Sequence, residues 1–182
     1  MRKYNFLLVM LVAILAISCS QSSSDTQVSN LGTKWHWDKG TIVIETPERP
    51  TGQTSVIGLK APKMEFVRVG FVGLGMRGPA AVERFTYIPG VEIVALCDYE
   101  KERAEECQEL LKKASMPEAT VYSGEKGYEE LCKRDDIDLV YIATDWLHHF
   151  PVAMCAMENG KHTAIEVPSA MSLKECWALI DM

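Results

Sequence analysis

The sequence predicts an α/β fold built on a doubly wound parallel sheet, and three features carry that prediction. Residues 66–78 read Phe-Val-Arg-Val-Gly-Phe-Val-Gly-Leu-Gly-Met-Arg-Gly, an apolar run that becomes the glycine-spaced turn Gly73-x-Gly75-x-x-Gly78. Strand-like and helix-like segments then alternate to the end of the chain. Asp98 closes the second apolar segment, Val91-Glu-Ile-Val-Ala-Leu-Cys-Asp98, 20 residues beyond Gly78.

The elements follow in order from residue 63. The first strand is expected at 65–72 and the first helix at 77–86, ended by Pro89-Gly90. A second strand at 91–97 leads to a charged amphipathic helix at 100–113, with Ala104, Cys107, Leu110 and Leu111 on one side. A short third strand at 120–123 and a short helix at 127–133 come next. The fourth strand, 138–144, is apolar throughout between its end residues Asp138 and Thr144, as a parallel strand covered on both faces should be. A helix at 148–159 stops at Gly160, a fifth strand fills 162–167, and a last helix begins near Ser172. Right-handed crossovers at this pitch give a Rossmann-type sheet with ligands beyond the carboxyl ends of its strands.

The residues at those ends select a nicotinamide dinucleotide. Gly73 permits a tight turn, Gly75 lets the backbone approach a pyrophosphate, and Gly78 lets helix and strand pack closely. The pyrophosphate then meets free N–H groups at a helix start. Asp98 is placed to accept hydrogen bonds from the adenosine ribose and to repel a 2′-phosphate, which favours NAD over NADP; it also suits a cap for the helix near Glu100. Arg77 either flanks the phosphates or faces solvent. After the fourth strand, Ala143-Thr-Asp-Trp-Leu-His-His149 is placed to pass under the nicotinamide ribose, with Trp146 packing on the cofactor. His149 is either a cofactor and proton-transfer residue or a structural histidine at a helix start. Glu166 either binds a ribose hydroxyl or caps the following helix.

Composition narrows the partners. A formal charge of −6 without a basic cluster argues against nucleic acid, which needs concentrated Lys and Arg. The six cysteines, at 19, 97, 107, 132, 155 and 176, lack C-x-x-C or zinc spacing, so no metal site or disulfide is expected.

The amino terminus reads as an address. Arg2 and Lys3 precede twelve apolar residues, 6–17, too few to span a bilayer, which takes about 20. Ala16-Ile-Ser-Cys19 resembles a bacterial lipoprotein signal, so 1–18 is expected to be removed and Cys19 lipidated, anchoring the chain to a membrane of the cell envelope. Residues 19–62 are expected to be a flexible tether and extended arm, with a short strand at 41–45 and an extended stretch over 47–62. Trp35-His36-Trp37 is either a sugar platform or an aromatic contact of that arm.

The motifs together resemble the oxidoreductase superfamily of glucose–fructose oxidoreductase and inositol dehydrogenase. They are Gly-Leu-Gly-x-x-Gly78, Cys-Asp98, Ala-Thr-x-x-x-x-His149, Gly-Lys-His162 and Glu166-x-Pro168. That superfamily usually carries Glu-Lys-Pro, where this chain has Val167 in the middle position. Within it, Gly-Leu-Gly-Met-Arg-Gly78, Asp-Trp-x-x-His149 and Glu-Val-Pro-x-Ala-Met171 are similar to glycoside hydrolase family 109, founded on α-N-acetylgalactosaminidase activity. The resemblance implies NAD contacts from Met76, Arg77, Asp98, Trp146, Leu147, His148, His149, Glu166 and Val167. It also implies cleavage of N-acetylgalactosamine-terminated glycans by oxidation at C3, elimination, water addition and reduction, with NAD recycled. The catalytic and sugar-binding residues would then belong mainly to a C-terminal α+β substrate domain, making 63–182 the cofactor half of a longer protein, with a homo-oligomer as its candidate assembly and this chain alone inactive. The alternatives are a sugar or polyol dehydrogenase and a non-catalytic surface protein that retains the fold.

Overall fold

The computed structural model of the protein describes residues 26–28, 34–45 and 60–182. The chain divides into two units, Met1–Pro47 and Glu48–Met182. In the first, β1 (Gln27–Val28), β2 (Lys34–Asp38) and β3 (Thr41–Ile44) pair antiparallel in that order. Lys39 and Gly40 join β2 to β3 with φ of 47° and 82°, a two-residue turn whose left-handed backbone matches the twist of the flanking strands. Trp35 and Trp37 share one face of β2, their rings edge to face at 6.3 Å.

The tether expected over 19–62 therefore carries a hairpin where it is described. The strand expected at 41–45 is β3; its partner β2 was not expected, because a Trp-His-Trp run between Lys34 and Asp38 gains its order only from the cross-strand pairing. The proposed signal at 1–18, the lipidation site Cys19 and most of the 47–62 arm lie outside the described residues. Among the described residues no helix is long and apolar enough to cross a membrane.

The second unit is the doubly wound sheet. Its strands are β4 (Val67–Val72), β5 (Val91–Asp98), β6 (Thr120–Ser123), β7 (Leu139–Ile142) and β8 (His162–Ile165), all parallel, in the order β6-β5-β4-β7-β8. The order reverses between β4 and β7, which opens a crevice at their carboxyl ends. The helices are α1 (Gly78–Phe85), α2 (Lys101–Lys113), α3 (Gly127–Cys132), α4 (Trp146–Glu158) and α5 (Leu173–Asp181).

Strand alternation sorts the core into two layers. Val69, Phe71, Ile93 and Leu96 pack with Ala81 and Val82 of α1 and with Ala104, Cys107 and Leu111 of α2. Val72, Ala95, Val140 and Ile142 pack on the other face with Leu131 and Cys132 of α3 and Val152, Ala153 and Ala156 of α4. Cys97, Cys107 and Cys132 are buried as small apolar residues, and burial pushes the Cys97 thiol up to about 12 and the Cys107 thiol up to about 11. Cys176 differs: it is exposed on α5.

Two helix starts are set by side-chain caps. Ser172 accepts from the N–H of Glu175, whose carboxylate returns to the N–H of Ser172, a capping box that fixes the start of α5. Asp145 accepts from the N–H of Leu147 at 2.9 Å, so α4 begins at Trp146, two residues earlier than expected.

At the opposite edge of the sheet, Arg68 and Asp138 lock β4 to β7. Arg68 Nε and Nη2 donate to the two carboxylate oxygens at 2.9 and 2.6 Å, and the Arg68 N–H adds a third bond at 2.8 Å. These bonds from Arg68 outweigh partial burial and hold the Asp138 carboxyl below its usual 3.8. Because the folded value is depressed, the unfolded chain takes up the proton more readily as pH falls. The stabilisation is complete above about pH 5 and is lost as the pH drops through the folded value. In urea unfolding, Asp138→Asn should be less stable than the parent at neutral pH and should lose less stability than the parent between about pH 5 and pH 3. Parallel losses in the two proteins would assign the acid sensitivity to other carboxylates.

Candidate cofactor site

The glycine turn is shaped by how closely three backbone segments meet. Gly73 has φ 90°, and a Cβ there would lie 2.4 Å from the Thr144 nitrogen and 2.5 Å from the Ala143 carbonyl carbon. A Cβ on Gly78 would lie 2.1 Å from the Gly73 oxygen. Both positions thus accept only hydrogen, one because β4 passes β7 there and the other because α1 rests on the turn. Gly75 is different: its Cβ would meet nothing nearer than Arg103 Nη1 at 3.6 Å. Space stands open above it. The N–H groups of Gly75, Met76 and Arg77 make no hydrogen bond to the described residues. Unpaired donors beside an open glycine at a helix start form a cradle that fits a pyrophosphate.

Asp98 closes the same turn from β5. Only 6% exposed, it accepts from the Leu74 N–H at 2.6 Å and from the Glu100 N–H at 3.0 Å. It thus bonds the backbone just ahead of α2, whose N-cap position is Glu100. The sequence reading missed Arg103, in the first turn of α2. Its guanidinium lies 3.5 Å from Asp98 Oδ1 and 3.2 Å from Glu100 Oε2. Two carboxylates facing one cation leave this end of the crevice net negative, which disfavours a phosphorylated ribose. The signal for Arg103 was only its place in the helix turn after Asp98, and many exposed arginines share such a place.

The far end of the crevice is made by the β7–α4 and β8–α5 connections. Trp146 and Leu147 are exposed on the first turn of α4, Met76 is 89% exposed on the glycine turn, and Val167 is 82% exposed after β8. Four large apolar side chains thus ring the carboxyl edge, where a flat cofactor would cover them. Arg77 is exposed and pairs with no described side chain, which leaves its charge beside the open N–H groups.

His148 and His149 diverge. His148 is exposed, and its Nδ1 pairs with Asp145 Oδ2 at 2.6 Å. Partial burial works against ionising Asp145, but the bonds from His148 and from the Leu147 N–H outweigh it and hold the carboxyl below its ordinary value. His149 is 1% exposed, with Nδ1 2.7 Å from the Pro168 oxygen and Nε2 3.1 Å from the Thr144 oxygen. Its ring fastens the β7–α4 loop to the β8–α5 loop, so the structural reading of His149 prevails over cofactor contact or proton transfer by its side chain.

Glu166 is no helix cap, since Ser172 fills that role. Its Oε1 accepts from the Tyr141 hydroxyl at 2.7 Å, and its N–H bonds the Ile142 oxygen at 2.9 Å. Val167 joins Pro168 through a cis peptide bond. Among the described residues no three His, Cys, Asp or Glu gather at metal-binding distance.

The glycines separate fold from binding in a testable way. Gly73→Ala should cost about 3 kcal/mol or more of stability, through both the positive φ and the backbone clash. Gly75→Ala should leave the urea midpoint nearly unchanged yet weaken NAD binding about tenfold, a loss of about 1.4 kcal/mol, by titration calorimetry. Unchanged binding in Gly75→Ala would remove the pyrophosphate from this turn.

The comparisons agree with this geometry. Residues 67–182 match the oxidoreductase family described by its NAD-binding Rossmann fold. A glycosyl hydrolase family 109 protein of Phocaeicola vulgatus is 66% identical over the whole chain, which covers 35% of that relative. One from Bacteroides thetaiotaomicron is 61% identical over 77% of the chain and 30% of its own length. The chain thus spans about a third of the curated relatives it matches, and their names bear out the resemblance to family 109. Among solved structures, myo-inositol dehydrogenase from Lactobacillus casei, in complex with NAD(H) and myo-inositol, aligns with a TM-score of 0.56 and 28% identity over 64% of this chain and 32% of its own. UDP-N-acetylglucosamine 3-dehydrogenase from Acidithiobacillus ferrooxidans aligns at 0.51 and 27% over 64% and 33%. The fold, the glycine cradle and these matches place the chain in the oxidoreductase family with an NAD-binding Rossmann fold.

Proposed function

We propose that this chain is the cofactor-holding part of an exported glycosidase that cleaves N-acetylgalactosaminides with recycled NAD. The observation that carries the reading is the rim at Val167. An aliphatic side chain stands exposed where the chain leaves β8, between Glu166, which Tyr141 holds, and Pro168, whose carbonyl His149 holds. A rim with valine at this place can orient a cofactor, but that side chain can neither move a proton nor donate a hydrogen bond. The identity to family 109 relatives across the whole chain supports the hydrolase over a simple dehydrogenase.

NAD, when bound, supplies reversible oxidation of a sugar carbon. The chain's own residues then divide the remaining work. The N–H groups of Gly75, Met76 and Arg77 hold the pyrophosphate, with Arg77 lending charge. Asp98 and Glu166 accept from the two riboses. Met76, Trp146, Leu147 and Val167 exclude water from the nicotinamide. The sugar-binding and proton-moving groups come from the rest of the protein, so this chain alone should turn nothing over.

The second reading, an NAD-dependent sugar or polyol dehydrogenase, is favoured by the likeness to inositol dehydrogenase. The intact gene product, given a nitrophenyl α-N-acetylgalactosaminide, should release nitrophenol with no lasting rise at 340 nm. Stoichiometric NADH from a free sugar or polyol, without nitrophenol release, would favour the dehydrogenase.

Export rests on the basic start, the short apolar run and Cys19, and a lipid anchor there would hold the protein at the cell envelope. The intact product expressed in a bacterium should incorporate labelled palmitate and sediment with membranes, and Cys19→Ser should lose the label and enter the soluble fraction. Equal labelling of parent and variant would rule out Cys19 as the anchor.

A further inference from the structure

We propose that Tyr141 is the positioning residue for Glu166: through one hydrogen bond it aims the carboxylate at the ribose on the nicotinamide side of bound NAD. The inference rests on the NAD reading of the crevice. It adds a residue in the middle of a core strand to a site otherwise built from loops.

Sheet register brings the two together. On β7, Tyr141 lies beside Phe71 of β4 and Ala164 of β8. Glu166 follows Ala164 by two residues, so both project from the same face as Tyr141. The Tyr141 hydroxyl donates to Glu166 Oε1 at 2.7 Å, while Oε2 makes no hydrogen bond to the described residues. One oxygen is therefore anchored and the other is left to accept from an incoming hydroxyl.

The anchor itself is rigid. The Tyr141 ring lies 5.2 Å from the Phe71 ring and 5.3 Å from the Phe85 ring, and those two rings meet each other at 5.2 Å. A phenol wedged between two aromatic rings keeps one rotamer. Arg84, on the last turn of α1, sets a positive charge near the phenol. Partial burial, and then the Glu166 carboxylate, push the Tyr141 phenol up, with Arg84 opposing, so the hydroxyl keeps its proton and stays a donor at neutral pH. Glutamate has three rotatable side-chain bonds, and fixing it before the ligand arrives removes an ordering cost that binding would otherwise carry.

Tyr141→Phe keeps the ring trio and deletes only the donor. Calorimetry on the intact protein should compare NAD⁺ with ADP, which occupies the glycine turn and the Asp98 end but lacks the nicotinamide ribose. Tyr141→Phe should raise the Kd for NAD⁺ about 3- to 10-fold and leave the Kd for ADP unchanged. In a Glu166→Gln background the same change should add little, because the group it positions is already altered. Arg84→Gln should shift NAD⁺ affinity in the same direction by less. Equal weakening of both ligands by Tyr141→Phe, or a full additional loss in the Glu166→Gln background, would reduce Tyr141 to a packing residue. NAD⁺ binding that Tyr141→Phe leaves unchanged would overturn the inference alone. A parent protein that binds neither ligand would overturn the NAD reading and this inference with it.

Discussion

The crevice exists because β4 and β7 pass each other with no side chain between them. At Gly73 the backbone comes so near Ala143 and Thr144 that only hydrogen fits, and at Gly78 the helix settles onto the same turn. This contact fixes where α1 starts, how its free N–H groups are presented, and where the two halves of the sheet diverge. Asp98 holds the turn from the other side through the Leu74 N–H, and His149 holds the loop beneath it through Thr144. Each anchor is a buried polar side chain engaged with backbone, which makes the arrangement rigid before any ligand arrives. A site assembled this way spends little binding energy on ordering itself.

Much of this could be read from the chain because its causes are local. The glycine spacing, the unbroken apolar run at Leu139–Ile142 and the Gly160 stop each act within a few residues, and the parallel sheet follows from them. The place of Asp98 was legible for the same reason: an acid ends an apolar strand, so it comes to the carboxyl edge where the crevice opens. The hairpin was half legible, since β3 shows β-branched alternation while β2 depends on a partner.

What escaped the sequence depends on register between distant segments. Tyr141 and Glu166 lie 25 residues apart and meet only because β7 and β8 pair as they do. Arg103 joins the site only because its guanidinium reaches from α2 to the space beside Gly75. His149 shows the reverse error, a residue whose position suggested chemistry and whose surroundings assign it to architecture. Its neighbours in sequence place it at the edge of the crevice, but the turn of the helix directs the ring inward to two carbonyls. Side-chain direction on the first turn of α4 hangs on the Asp145 cap, which shifts the helix start by two residues.

Val167 has a consequence beyond this chain. Its side chain stands almost wholly in solvent, while the backbone around it is fixed by the Glu166 N–H on one side and the Pro168 carbonyl on the other. The scaffold is therefore insulated from the identity of the residue it displays there. A longer, charged or polar side chain at this point would disturb no packed neighbour and break no hydrogen bond. Reaction type can drift at such a position over evolutionary time at almost no structural cost, and an engineer could exchange it as freely. The sheet behaves as a socket, and the residue at its lip as an interchangeable fitting.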